Sequence, residues 1–133
     1  MIESLLQKRM ERIVTLEDLT KNLEQLLNSG CYVGTEPNGK KFLIETRVLV
    51  ERINGLRVYI RSREHPPPHF HVSSANTIAA FDVIDCSLIE GSIDGKTREL
   101  VEYWYRNLGG RSKLIEFWNK TRPGDCPVGP VRV

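Results

Sequence analysis

Nowhere in the 133 residues does an apolar run exceed a handful of positions, so the sequence offers no membrane-spanning helix. A secretory leader is not expected either, because Met1 to Val14 alternates charged and apolar residues without a continuous apolar core. Cysteine is scarce. Cys31, Cys86 and Cys126 are odd in number, far apart and without a CxxC pair, which excludes a disulfide framework and points to free thiols in a reducing, cytoplasmic setting. Charge of one sign is also lacking: the net charge is only +2, so contact with nucleic acid would have to come from a local patch. Walker A, GxGxxG and serine-elbow motifs are absent, and no internal repeat is present. What remains is a chain of ordinary composition, 40% hydrophobic and 27% charged, long enough to bury a core unaided.

The N-terminal quarter reads as helical. Ile2, Leu5, Leu6, Met10 and Ile13 fall on one face of a helix over 2–13. Thr15 and Asp18 form a capping box that starts a second helix, with Leu16, Leu19, Leu23 and Leu26 as a stripe and Asn28-Ser29-Gly30 as its end. That stripe can close on the domain itself, on the first helix, or on a second copy to make a homodimer. Beyond a turn at Glu36-Pro37-Asn38-Gly39, residues 42–53 read as one long strand. Asn54-Gly55 is then a two-residue hairpin turn, and 56–63 the returning strand. Further strands are expected at 69–73 and 78–83, separated near Asn76, with Gly91 and Gly95 bracketing a loop. A third helix over about 97–107 carries Leu100, Val101, Trp104 and Leu108 on one face. After the Gly109-Gly110 stop, a fourth over about 112–121 carries Leu114, Ile115 and Trp118. The tryptophans read as core. The tail from Pro123, rich in proline and glycine, is expected to be flexible. The expected class is α+β: a small antiparallel sheet with two N-terminal and two C-terminal helices.

All three histidines lie in the seven residues His65-Pro66-Pro67-Pro68-His69-Phe70-His71. The prolines make a short stiff rod that cannot donate ladder hydrogen bonds and so belongs on an edge or loop. Downstream, period two sets His69 and His71 on one face and Phe70 and Val72 on the other. With the apolar pair in the core, the imidazoles are expected to face water or a cleft, within possible reach of His65. Two imidazoles sharing a face can act as general base and general acid, as in metal-independent phosphodiester cleavage. The same three histidines could instead hold zinc or another transition metal, with Glu64, Asp82, Asp85 or Glu90 nearby as carboxylates. They could also be strand histidines that only bond to backbone.

The strand before the rod adds a basic face. Odd positions place Arg57, Tyr59, Arg61 and Arg63 together, and Arg52 is expected opposite Arg57. Guanidinium groups beside an aromatic ring suit phosphate and base contacts. Equally, Glu45, Glu51 and Glu64 could answer them on a solvated face. Cys86 could be a nucleophile or a metal ligand, though a thiol so placed usually just packs.

The run Gly55-Leu56-Arg57-Val58-Tyr59-Ile60, followed by Glu64-His65-Pro66-Pro67-Pro68-His69-Phe70-His71-Val72, resembles the signature of a bacterial family, domain of unknown function 4160. Ala80-Phe81-Asp82, the Ile89-Glu90-Gly91 turn and the helices around Trp104 and Trp118 fall in the same order, so the resemblance spans about residues 50–122. It divides the chain into a helical extension over 1–49, the motif domain over 50–122 and the tail over 123–133. The family's frequent pairing with a second short protein is reminiscent of toxin–antitoxin pairs. The resemblance thus implies a cytoplasmic protein with a small protein partner and an RNA- or translation-directed activity. No catalytic residue carries over from the family. In place of a glycine-bearing turn after Asp82, this sequence has Ile84-Asp85-Cys86-Ser87.

The expectation is therefore a toxin-like protein directed at RNA phosphodiesters. In it His69, His71 and His65 would move protons or touch phosphate, while Arg57, Tyr59, Arg61 and Arg63 would hold the nucleic acid. A metal-binding regulatory module and an antitoxin-like interaction subunit are the alternatives.

Overall fold

The computed structural model describes residues 2–46, 53, 55–60, 67–75, 77–121 and 131. Two helices, α1 (Ile2–Met10) and α2 (Leu16–Leu27), come first. Thr15 caps α2 as its sequence requires, its hydroxyl accepting the Asp18 N–H at 3.0 Å. Leu19, Leu23 and Leu26 are completely buried within the chain's own core, and Leu16 is half-buried. The stripe therefore closes on the domain. On α1, Leu6 and Met10 are buried with Ile13 beyond it, but Leu5, expected on the same face, is exposed.

Among the described residues six strands follow in two antiparallel sheets, where one sheet was expected. A hairpin pairs β1 (Tyr32–Thr35) with β2 (Lys41–Ile44) across the turn at Glu36–Lys40. The larger sheet runs in sequence order through β3 (Arg57–Tyr59), β4 (His69–Ser74), β5 (Thr77–Asp82) and β6 (Leu88–Ser92).

The long strand expected over 42–53 does not form as such: β2 stops at Ile44 and its partner is β1. Nor do Ile53 and Val58 bond as members of the expected hairpin, because α2 takes up their backbone groups. The Asn28 amide accepts from the Ile53 N–H at 2.7 Å and donates to its carbonyl at 3.3 Å. The Thr20 hydroxyl does the same for Val58, at 2.9 and 3.3 Å. Polar side chains of a helix thus satisfy an exposed strand edge that another strand would otherwise have to cover. Asn54, the proposed pairing of Arg52 with Arg57, and residues 61–63 of the returning strand lie outside the described residues.

Two further helices, α3 (Gly95–Asn107) and α4 (Gly110–Lys120), complete the chain order. Asp94 caps α3 through the Thr97 N–H. Gly109, at φ +97°, makes the left-handed step between the two helices. Leu100, Val101, Trp104, Leu108, Leu114, Ile115 and Trp118 are all buried, as their spacing predicts. Val58, Phe70, Val72, Ala79 and Phe81 meet them from the sheet in one continuous core that includes the leucines of α2.

Helices α1 and α2 are thus built into the domain. Asn22, buried, accepts the Trp104 indole N–H at 2.9 Å and donates to the Leu6 carbonyl at 3.2 Å, tying α1, α2 and α3 together. At the other end, Val131 is buried and held by the Asn119 side chain at 2.8 and 3.0 Å, whereas a flexible tail was expected there. The rest of the tail, with Cys126, lies outside the described residues.

The loop expected between Gly91 and Gly95 is present at residues 93 and 94, but the strand before it, β6, was not expected. Gly91 is in the strand at φ +87°, and a Cβ there would lie 2.0 Å from the Ile78 carbonyl oxygen, so only glycine fits.

Candidate functional site: a histidine pair on the outward face of the sheet

Alternation along β4 sends Phe70 and Val72 into the core and His69 and His71 to the opposite face. The register then decides their neighbours. His71 lies across from Tyr59 on β3 and Ala80 on β5, and His69 across from Asp82. The Tyr59 and His71 rings stack almost in parallel, with centroids 4.6 Å apart and planes 5° from each other. His69 meets His71 edge-on at 4.9 Å, and the Arg57 guanidinium carbon lies 5.2 Å from the Tyr59 centroid. Arginine, tyrosine and two imidazoles therefore adjoin one another across two strands.

The two histidines converge as the sequence predicts, but they do not face water. His69 is 2% exposed and His71 9%. Ala80 is buried beside them, and none of the three is part of the hydrophobic core. Periodicity predicts which residues share a face, not whether that face is covered.

The proline rod contributes through its carbonyls, a role its missing N–H groups conceal. His69 Nδ1 lies 2.7 Å from the Pro67 oxygen. A carbonyl can only accept, so Nδ1 carries a proton and donates. The next carbonyl, of Pro68, accepts the Val83 N–H at 2.9 Å and so extends the ladder between β4 and β5. Pro67 is the residue that sequence reasoning missed; the signal was an acceptor-only segment directly before a histidine.

The nearby carboxylates divide by task. Asp82 shares the face of His69, yet one of its oxygens accepts the Ile84 N–H at 2.6 Å and shapes the turn after β5. Asp85 caps Ser87 in the same turn, and these hydrogen bonds hold its carboxyl below the usual range. Glu90 is exposed on β6. Among the described residues, no three histidine, cysteine or acidic side chains are grouped to hold a metal ion. His65, Glu64, Arg61 and Arg63 lie outside the described residues, so the structure brings together only His69, His71, Tyr59 and Arg57 of the expected set.

Cys86 packs as a buried thiol. It is 1% exposed, and burial pushes its thiol up to about 12. Its φ is +63°, the only left-handed non-glycine residue among those described, which explains why glycine suits this turn. The strain is held in place by its surroundings: the Tyr105 hydroxyl and the Arg111 and Arg106 guanidiniums donate in turn to the carbonyls of Val83, Ile84 and Asp85.

The fold and its outward ring cluster define an α+β domain with a four-stranded antiparallel sheet, whose second strand carries a buried His-x-His pair. Residues 55–119 match the family model described as "Domain of unknown function (DUF4160)", the family whose signature the sequence resembles. The match begins at Gly55 and ends at Asn119, within the 50–122 expected. Comparison with curated proteins found no match, and neither did comparison with solved structures. Among the described residues no helix is long and apolar enough to cross a membrane.

Proposed function

We propose that the protein is the nucleic-acid-directed member of a toxin–antitoxin-type pair, acting in the cytoplasm, with the outward face of β3 and β4 as its RNA contact. The observation that supports this reading is the adjoining set Arg57, Tyr59, His71 and His69. A guanidinium, a phenol ring and two imidazoles side by side are the side-chain types that contact phosphate and base.

Burial also divides the roles. His69, fixed by Pro67, is a positioning residue that orients His71. His71, next to half-buried Tyr59, is the group that reaches RNA phosphate when the face is engaged. Arg57, exposed on the same strand, holds phosphate. Proton transfer by His71 to or from a phosphodiester oxygen would make the protein a metal-independent ribonuclease.

The test compares the full chain with His71→Phe, which keeps the stack on Tyr59, and with Arg57→Ala. Growth arrest on expression, RNA binding and RNA cleavage are the readouts. Loss of all three in His71→Phe, with the thermal transition unchanged, is the expected result. Full activity in that variant would reduce the pair to a packing device. Binding without cleavage in the parent chain would keep the RNA contact and remove the enzyme.

One observation favours a second reading. A ring nitrogen hydrogen-bonded to a main-chain carbonyl is also the outer contact that metal-ligating histidines make. A zinc or other transition-metal site would need further ligands from His65 or Glu64. Near-stoichiometric metal in protein purified without an affinity tag would establish it.

The interaction-subunit reading changes its surface. The leucine stripe of α2 is buried, so a protein partner or a homodimer at the N-terminal helices would have to use the exposed Leu5 and Val14 instead.

A further inference from the structure

The two margins of the larger sheet differ. At β3, the backbone N–H and carbonyl of Val58 are taken by Thr20 of α2. At β6, nothing among the described residues pairs with the outer margin, and Ile89, Glu90, Gly91 and Ser92 are all exposed. Apolar side chains also stand exposed near this margin. Of the six large apolar residues left exposed among those described, Ile78, Ile84 and Ile89 lie on β5, on β6 and in the turn between them. An open backbone edge bordered by uncovered isoleucines is the surface on which an extended segment adds as a further strand.

Charge decides what that segment is. Glu90 is the only charged residue of β6, and Asp85 and Asp94 stand before and after it with no lysine or arginine between. A second copy pairing antiparallel through β6 would bring the same carboxylates to its own, which like charges across a strand pair disfavour. Glu90 shares the outward face with Ala80, its cross-strand partner, and Ser92 shares it with Ile78. Ser92 is small, and Ile78 behind it is 72% exposed. A strand laid against β6 therefore fits if it puts a basic side chain opposite Glu90 and, two residues away on the same face, an apolar one long enough to reach over Ser92 to Ile78.

We propose that β6 is a docking edge for an extended segment of another protein, bearing a lysine or arginine and an apolar residue two positions apart. This does not rest on the RNA reading, since none of the residues of the ring cluster takes part.

The probes are two labelled synthetic peptides with alternating threonine and valine, one with a central lysine and the other with glutamate in its place. They are titrated against the full chain and against Glu90→Lys, with hydrogen exchange followed at residues 88–92. The lysine peptide should bind the parent chain and slow exchange in β6. Its affinity should fall about five- to tenfold on Glu90→Lys, while the glutamate peptide should gain by a similar factor. Equal affinities for all four combinations, no binding by the lysine peptide, or protection outside β6 would overturn the proposal. So would sedimentation showing a dimer of the parent chain that Glu90→Lys strengthens, since β6 would then serve a second copy. Circular dichroism of Glu90→Lys confirms that the variant is folded; the exposure of Glu90 makes this the expected outcome.

Discussion

The two faces of strand β4 are both buried, yet for different physical reasons. On the inner face, Phe70 stacks on Phe81 at 5.4 Å and lies 6.4 Å from the Tyr105 ring, so removal of apolar surface from water accounts for its burial. On the outer face, His69 and His71 are withdrawn from water although their rings carry polar nitrogens. Burial there stabilises only where hydrogen bonds answer those nitrogens, as the Pro67 carbonyl does for His69. Apolar burial alone accounts for the inner face, whereas the outer face is held by polar contacts as well.

The sharpest way to break this comparison is to injure the inner side first. Trp104→Ala should lower unfolding free energy by about 3–5 kcal/mol, since it empties a wholly buried site and leaves Asn22 without its indole partner. Urea denaturation measures it, and a loss below about 1 kcal/mol would mean that the core is looser than described.

Next in size, His69→Ala should cost about 1–3 kcal/mol, by loss of packing and of the bond to Pro67. His71→Phe, which keeps a ring against Tyr59, should change stability little. If the two variants fall equally far, the division between a positioning and a contacting histidine is wrong.

Thr20→Val preserves shape but leaves the Val58 N–H and carbonyl without their partner. It should cost about 1–2 kcal/mol and speed hydrogen exchange at Val58.

Asp94→Ala should remove about 1 kcal/mol through the lost cap of α3. The hydrogen bonds from Thr97 hold the Asp94 carboxyl below its usual range. Its contribution is therefore present above the ordinary aspartate pKa and is lost as pH falls through the lowered value. Asp94→Asn should keep the cap and flatten that part of the acid dependence.

Smallest of all, Cys86→Gly should be close to neutral. Relief of about 1 kcal/mol of left-handed strain is set against loss of a buried thiol of similar worth. The thiol of the native chain should resist alkylation until the protein unfolds, which a mass-spectrometric time course would check.

Much of this was legible in the residues. Thr15 and Asp18 announce the start of α2, and the spacing of Leu100, Val101 and Trp104 announces the buried face of α3, because caps and helical periods are local properties. Period two sorted Phe70 and Val72 from His69 and His71 for the same reason. What failed was tertiary. Strand β1 is four residues long with Gly34 inside it, and β6 contains Gly91, so both lacked the apolar alternation that marks a strand. Nothing near Ile53 or Val58 reveals that Asn28 and Thr20, some 25 and 38 positions away, will occupy their backbone groups. The burial of the outward imidazoles was hidden likewise, since alternation assigns a side without saying what lies over it.

The hydroxyl of Thr20 has a consequence for assembly. Edge-to-edge growth of sheets into fibres needs two sticky margins per molecule, so that each addition creates the site for the next. At Val58 the backbone N–H and carbonyl are already taken by the chain's own helix, so a second copy would find neither donor nor acceptor there. Stacking of copies, one's β6 margin on the next one's β3 margin, is opposed at that position.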